Sequence, residues 1–433
     1  MKMKTKDYRL IIYIIITLAV LLAASSLYLS GSGEYVRITE GGNIVGIYPI
    51  NQDTVINLTH NTVTVKDGEA SMSEADCPDG LCIKQGAISH SGEVIACLPN
   101  RVTVQIISGQ SGNRSDKYPL EYSGIHFDTL VNASINDMSD SSVDACGIIR
   151  SECERFELIC SRTNPSSELY KLNHGLINEK KSVNIDNKEY TAYKVSDELY
   201  NMISTGIDAY DLSDGAFDIA IGAVTDLWDF KSGDRIIPDK EAISSALSSV
   251  SIDSIRLLDN NYIAITDSST VIDLGGLAKG YIGDSLRTTL INRGVTSATI
   301  SLGGNVVTIG DKAGEPYNIG IVKPFTKSGE IALAVPVSDQ CVITSGTYER
   351  CFTIDGVLYH HILNPDTGYP YDTDLSSATV ICDSSLQGDI LSTVLLSEGS
   401  SAAISHADAL ASDGIYVILI DTSGEIIYNS LNK

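Results

Sequence analysis

The chain has 433 residues, 43% of them apolar, which gives room for two or three globular domains and excludes a disordered chain. Its formal net charge of −25 disfavours nucleic acid and anionic membrane surfaces as partners. A diphosphate site on so acidic a chain needs local help from a lysine, a helix N-terminus or a metal ion.

Leu10 to Leu29 is an uncharged apolar run long enough to cross a bilayer as a helix, and Lys2, Lys4, Lys6 and Arg9 precede it. This predicts a cytoplasmic tail and membrane anchor over 1–30, with the rest of the chain extracytoplasmic. A cleaved signal peptide is the rival reading, because Ala23 to Ser26 offers small residues, but the run is long for one. No cysteine lies near its end, so a lipoprotein is not expected.

Residues 31–110 alternate apolar and polar and are rich in Val, Ile and Thr, as in VINLTHNTVTV and EVIACLPNRVTVQII, which predicts a small all-β domain. The stretch CPDGLCIKQGAISHSGEVIACLPNRVTV resembles the extracytoplasmic relatives of NusG domain II. RNA binding does not follow, because these residues hold 4 Lys/Arg against 9 Asp/Glu and few aromatics. A spacer or docking role is expected. Cys77, Cys82 and Cys97 lie close in this stretch, and two of them can form a disulfide in an oxidising compartment. A zinc site has less support, for want of a CxxC pair or an evident fourth ligand.

A polar glycine- and serine-rich segment around 108–118 reads as a linker, placed at 111–122, with a second domain over 123–433. A helix is predicted from about Ser141 to Ser161, where Cys146, Ile149, Cys153, Phe156 and Cys160 make one apolar stripe, so these cysteines read as core. A second helix is predicted over Val195 to Leu212. From Ala242 onward strands alternate with helices, which predicts an α+β fold with a largely antiparallel sheet and no repeat visible in the motif spacing. Cys341, Cys351 and Cys382 lie in strand-like runs and read as small core residues.

Three stretches carry candidate chemistry. VIDLGGLAKGYIGD, Val271 to Asp284, reads as a buried strand, a two-glycine turn and a helix. Gly275 and Gly276 leave room for a phosphate at the helix N-terminus, Lys279 adds charge, and Asp273 at the strand end can hold a ribose, a ring nitrogen or a metal-bound water. A plain strand–helix joint with a solvated lysine is the competing reading. In GDILSTVLL, Asp389 and Thr393 are four apart on one helix face and offer hard oxygens suited to Mg²⁺; taken without other context, a dipole-favouring acid and a back-bonding threonine are the better account of them. In HHILNPDTGYP only one of His360 and His361 can face a site, since neighbours in a strand point oppositely. Packing and capping alone account for Phe217 and Asp218 in DGAFDIAIG, and Trp228, the only tryptophan, reads as core.

Taken together, VIDLGGLAKGYIGDSL, DGAFDIAIGAVTDLWDF, SLGGN, TSGTYER and HHILNPDTGYP followed by GDILSTVLL resemble, in order, the motifs of the ApbE family, the FAD:protein FMN transferases. The resemblance covers about residues 120–433. It implies an ApbE-type, T-fold-related duplicated sheet-and-helix architecture. It also implies transfer of FMN from FAD to a Thr or Ser hydroxyl of an acceptor flavoprotein, with release of AMP. The implied FAD-binding residues are Ala216, Phe217, Asp218, Asp273, Lys279, Ile362 and Leu363. Mg²⁺ would be bound by Asp389, Thr393, the carbonyl of Gly276 and Ser392, and His361 would be the base. Thr163, Thr347, Asn364 and FDTLVN from Phe127 depart from the family pattern. A Mg²⁺-dependent FAD pyrophosphatase and a non-catalytic flavin-binding protein are the alternatives. No SGAT-like flavinylation pattern is present, so the acceptor is expected to be another protein.

Overall fold

The computed structural model describes residues 34–78, 80–108, 119–230, 235–326 and 330–432. The predicted anchor and most of the predicted linker lie outside them. No helix among the described residues is long and apolar enough to cross a membrane. The chain divides into two compact units, Met1–Lys117 and Tyr118–Lys433. The second unit starts earlier than the predicted 123, because its first strand is already under way at Leu120.

The first unit is β1 (Glu34–Glu40), β2 (Asn43–Pro49), β3 (Thr54–Asn57), β4 (Asn61–Lys66), β5 (Glu69–Ala75), α1 (Leu81–Lys84), β6 (Ala87–Ile88), β7 (Val94–Cys97) and β8 (Val102–Ser108). Two four-stranded antiparallel sheets, ordered β2-β1-β8-β7 and β3-β4-β5-β6, enclose a core that includes Val36, Ile38, Val63, Ile95 and Ile106. Period-two alternation turns those side chains inward. The one-turn helix α1 is the only departure from the predicted all-β composition among the described residues of this unit.

The second unit opens with β9 (Leu120–His126) and β10 (Thr129–Met138), then α2 (Ala145–Cys160), α3 (Glu168–Asn173), β11 (Lys180–Ile185), β12 (Lys188–Lys194), α4 (Asp197–Leu212), α5 (Gly222–Thr225), α6 (Lys240–Leu247), β13 (Ile255–Leu258) and β14 (Tyr262–Ile265). Next come α7 (Ala278–Asn292), β15 (Val295–Leu302), β16 (Asn305–Ile309), β17 (Tyr317–Val322), β18 (Ile331–Val337) and β19 (Cys341–Gly346). The unit closes with β20 (Cys351–Ile354), β21 (Val357–His360), β22 (Leu375–Cys382), α8 (Ser385–Leu410), β23 (Tyr416–Asp421) and β24 (Ile426–Asn429). The predicted helix at 141–161 begins later, at Ala145, because the Asp144 side chain caps it by accepting from Gly147 N at 2.9 Å.

Eight antiparallel strands form the main sheet, ordered β24-β23-β22-β19-β16-β15-β10-β9. It is two ββαββ halves. In one, the β9–β10 and β15–β16 hairpins flank α7; in the other, β19–β22 and β23–β24 flank α8. The halves join through Val306↔Val342 and Val307↔Cys341. All eight residues of β22 are buried, because both faces are covered. Ala378, Val380 and Cys382 pack on Leu395 and Leu396 of α8, while Ile381 packs with Val335 and Val337 of the β17–β18 ribbon. Cys153, Ile149 and Phe156 of α2 are fully buried, as the stripe predicts, and Cys341 and Cys382 are core while Cys351 is half-buried. Trp228 is core, stacked on Phe230 and Tyr359 and donating Nε1–H to Gly368 O at 2.9 Å.

The helices α7 and α8 touch backbone to backbone. A Cβ on Gly280 would lie 2.6 Å from Ser385 O and 2.7 Å from Leu386 Cα. Asp284, at the end of the GYIGD run, accepts from Ser384 Oγ (2.7 Å), Ser385 N (2.8 Å) and Leu386 N (3.0 Å), and so caps α8 from the neighbouring helix. This fixes the start of α8 at Ser385, three residues before the predicted Gly388.

Candidate active site

The α7–α8 contact builds the centre of the site. Asp389 lies in the second turn of α8, not at its N-terminus, and its side chain is 4% exposed. Its Oδ2 accepts from Gly280 N at 2.8 Å, and its Oδ1 is 3.5 Å from Lys279 Nζ. One turn further, Thr393 Oγ1 and Ser392 Oγ donate back to Asp389 O at 3.1 and 3.2 Å. Ser345 Oγ, from β19, meets Ser392 Oγ at 2.9 Å and Thr393 Oγ1 at 3.0 Å. The helix turn that carries the buried carboxylate thus adjoins a cluster of three hydroxyls, two of them on the backbone carbonyl of Asp389.

This geometry corrects one expectation. The first turn of α7 is not an open phosphate cradle. Gly275 N is bonded to Asp273 Oδ1 (2.9 Å), Leu277 N and Ala278 N to Leu274 O (3.1 and 2.8 Å), and Gly280 N to Asp389. Nor is the segment before it a regular strand. Val271 makes an isolated parallel bridge to Ile221, and Asn173 pins Ile272 through both its backbone N and O at 2.9 Å. Glycine is required at 276 because the Phe217 ring would stand 2.9 Å from a Cβ there.

Phe217 itself is buried, with its ring against that turn. Ala216 is half-buried, and its carbonyl accepts from Tyr371 Oη at 2.9 Å. Asp218 caps its own turn, accepting from Ala220 N at 2.7 Å, and burial raises its carboxyl above the ordinary range against that bond. Asp273 is paired with Arg162 Nε at 3.4 Å, and Arg162 also bonds Asp226. Leu363 is buried among Trp228, Phe352 and Ile243, and Ile362 packs under α8 with Leu375.

The histidines separate by their hydrogen bonds. His360 is buried with both nitrogens used: Ile362 N donates to Nδ1 (3.3 Å) and Nε2–H donates to Tyr371 O (3.1 Å). His361 donates Nδ1–H to Glu349 O at 3.1 Å, which puts the lone pair on Nε2. Burial, with Arg350, Lys279 and His360 nearby, pushes His361 down to about 3, and burial takes His360 to about 4. Both are neutral imidazoles at neutral pH.

Residues that motif reading left without a role complete the wall. Glu349 is exposed and feels the charges of Lys279 and Arg350. Its Oε1 stands 3.6 Å from where a Gly304 Cβ would be, so the SLGGN turn, with Gly303 and Gly304 at φ 57° and 100°, borders the same place. Asn305, 1% exposed, has no partner for Oδ1 or Nδ2 among the described residues. Asn364 holds its turn by accepting from Asp366 N (2.8 Å) and Thr367 N (3.2 Å), and Thr347 is buried on Ser376 O, which gives both departures from the family pattern a structural use. Thr163 is exposed. Ser345 and Glu349 lie inside TSGTYER, whereas Arg162 and Asn173 lie outside the motif stretches, and for all four only their partners reveal their use.

Five sequence-distant motifs therefore meet around Asp389, Lys279 and His361. The profile of the ApbE family matches residues 127–426. The chain belongs to the ApbE family. The profile of NusG domain II matches residues 10–110. Among curated relatives, a FAD:protein FMN transferase of Klebsiella pneumoniae is 38% identical over 47% of this chain and 64% of its own length. One of Treponema pallidum is 33% identical over 46% of this chain and 59% of its own length. The chain thus spans a little under two thirds of these relatives. The crystal structure of the ApbE protein of Thermotoga maritima superposes with a TM-score of 0.62 at 28% identity, covering 72% of this chain and 98% of that one.

Proposed function

We propose that the chain is a FAD:protein FMN transferase, moving FMN from FAD to a Thr or Ser hydroxyl of an acceptor flavoprotein and releasing AMP. Family membership and the names of the relatives support this. The observation that carries it is the buried Asp389 carboxylate held by Lys279 and Gly280 N, on a helix turn that carries the Ser392 and Thr393 hydroxyls, together with a His361 whose Nδ1 is committed to the Glu349 carbonyl and which feels the charge of Lys279.

The donor set fits Mg²⁺. One carboxylate, the Thr393 and Ser392 hydroxyls and the Gly276 carbonyl are hard oxygens, and a single carboxylate leaves coordination positions for water and phosphate. When bound there, Mg²⁺ supplies charge neutralisation for the diphosphate. Lys279 orients the diphosphate, and the segments 216–218 and 361–363, with Asp273 held by Arg162, line the flavin nucleotide. His361 Nε2 takes the proton of the incoming hydroxyl as its oxygen bonds to the FMN phosphorus. The bond from that phosphorus to the AMP oxygen breaks, and AMP leaves. A bound diphosphate offsets Lys279 and Arg350, the cations that depress His361, and so raises its basicity when it is needed.

We place the catalytic unit outside the cytoplasm, anchored by the apolar run at 10–29, with the first unit as a spacer or docking module. The test incubates the full chain in detergent with FAD, Mg²⁺ and an acceptor domain, followed by mass spectrometry and AMP detection. An acceptor gaining one FMN, lost in Asp389→Ala, is the expected result. Free FMN and AMP without adduct would replace the proposal with a pyrophosphatase, and intact bound FAD with every acceptor tried would replace it with a binding protein.

A further inference from the structure

The first unit holds a cluster that the transfer reaction does not use. Cys77 follows β5, Cys82 lies on α1, and Cys97 ends β7; the three side chains are 8%, 1% and 1% exposed. All are free thiols, and their sulfurs lie within 4.8 Å of one another. No other such group of three His, Cys, Asp or Glu ligands occurs among the described residues.

Two chemistries compete for this triangle. Cys77 and Cys82 Sγ are 3.3 Å apart. A disulfide requires about 2.05 Å, so the sulfurs would have to close by more than an ångström, and the buried Cys97 would have no purpose beside them. A zinc ion at about 2.3 Å from each sulfur sets them about 3.8 Å apart, which asks the Cys77–Cys82 pair to open by about half an ångström and uses all three. Zinc also leaves a residual charge of about −1 on three thiolates, the smaller burden in an apolar site compared with a monovalent soft cation. A cavity of about 80 Å³, lined by the three cysteines with Leu81, Leu98 and Pro99, opens on the cluster. Gln85 borders it but gives no ligand, because its amide is clamped on Ala96 through Oε1 (2.9 Å) and Nε2 (3.0 Å).

We propose that Cys77, Cys82 and Cys97 form a three-thiolate Zn²⁺ site whose fourth ligand is a small exogenous molecule in the adjoining cavity. Binding replaces three S–H protons with one Zn²⁺, and the three protons pass to solvent.

The test uses the full chain, purified under reducing conditions and freed of metal. Titration with Co²⁺ is expected to give a sulfur-to-cobalt charge-transfer band that saturates at one ion per chain and is abolished by Zn²⁺. An oxygen-ligated site in the other unit does not produce that band. Alkylation of the native chain followed by peptide mass spectrometry is expected to show Zn²⁺ protecting Cys77, Cys82 and Cys97 but not Cys351. Cys97→Ser removes the band and Cys351→Ser keeps it; should Cys97→Ser fail to fold, the protection pattern of the wild type decides. Absence of the band, absence of protection, or a quantitative Cys77–Cys82 disulfide in chain recovered from an oxidising compartment would overturn the proposal.

Discussion

Gly280→Ala tests whether the α7–α8 contact sets the site. The added methyl would stand 2.6 Å from Ser385 O and 2.7 Å from both Leu386 Cα and Asp389 Cβ, where ordinary contact begins at 3.4 Å. Two of these atoms are backbone, so α8 must retreat by about 0.8 Å. Alanine gains about 1 kcal/mol of helix propensity over glycine, while overpacking costs about 1–3 kcal/mol; with a backbone wall the upper figure applies and the net is about 2 kcal/mol of destabilisation. The same displacement moves Asp389, and a shift near 1 Å at a reacting centre costs about 100-fold in rate. Urea unfolding followed by Trp228 fluorescence reads the first effect, because the only tryptophan lies in this unit, and FMN transfer reads the second. Gly283→Ala is the control, since its methyl meets side-chain atoms, Ser385 Oγ at 2.7 Å and Val307 Cγ2 at 3.0 Å, which can give way. A Gly280→Ala protein as stable and as active as wild type would refute the reasoning.

Asp389→Asn keeps an acceptor for Gly280 N but loses the charge, so transfer should fall by about 100-fold or more, and EDTA should abolish wild-type transfer with recovery on adding Mg²⁺. His361→Gln should lower kcat by about 100-fold or more with little change in unfolding midpoint, whereas His360→Gln should act on stability. His360 is neutral when folded, with its value down at about 4 against 6.5 unfolded, so its contribution is complete above about pH 6.5 and is lost as pH falls toward 4. The loss is about 3 kcal/mol, and urea midpoints measured from pH 7 to 4 should fall less steeply in His360→Gln.

The elements were largely legible because their signals are local. Alternation marks β4, and the cysteine stripe marks α2. What escaped depends on partners far along the chain. The glycine turn reads as an anion site because a helix N-terminus has free N–H groups, but Gly280 N is taken by a carboxylate 109 residues away. The cap on α8 comes from Asp284, about a hundred residues earlier, and no local window contains both. The ββαββ duplication is hidden for a similar reason. In the second half β22, α8 and β23 follow directly. In the first, everything from α2 to β14 is inserted between β10, ending at Met138, and α7, starting at Ala278. Resemblance picks His361 over its neighbour, since the strand ends at His360 and alternation does not reach His361, and which nitrogen is free requires the carbonyl of Glu349.

The electrostatics of the site give the proposed metal a physical reason that motif resemblance does not. The chain carries −25 overall, and the site does not reverse that locally. Lys279 is paired with Asp389, Arg350 and Lys279 face Glu349, and Arg162 is divided between Asp273 and Asp226. Each cation is already matched by a carboxylate, so the side chains alone offer a diphosphate no net positive charge. A lysine 3.5 Å from a buried carboxylate is a stable pair without ligand. A divalent ion taking over Asp389 would release that lysine toward phosphate, adding both its own charge and that of Lys279 to the anion's side. On the proposed reading, metal and dinucleotide would bind with positive coupling, each tightening the other by the same factor.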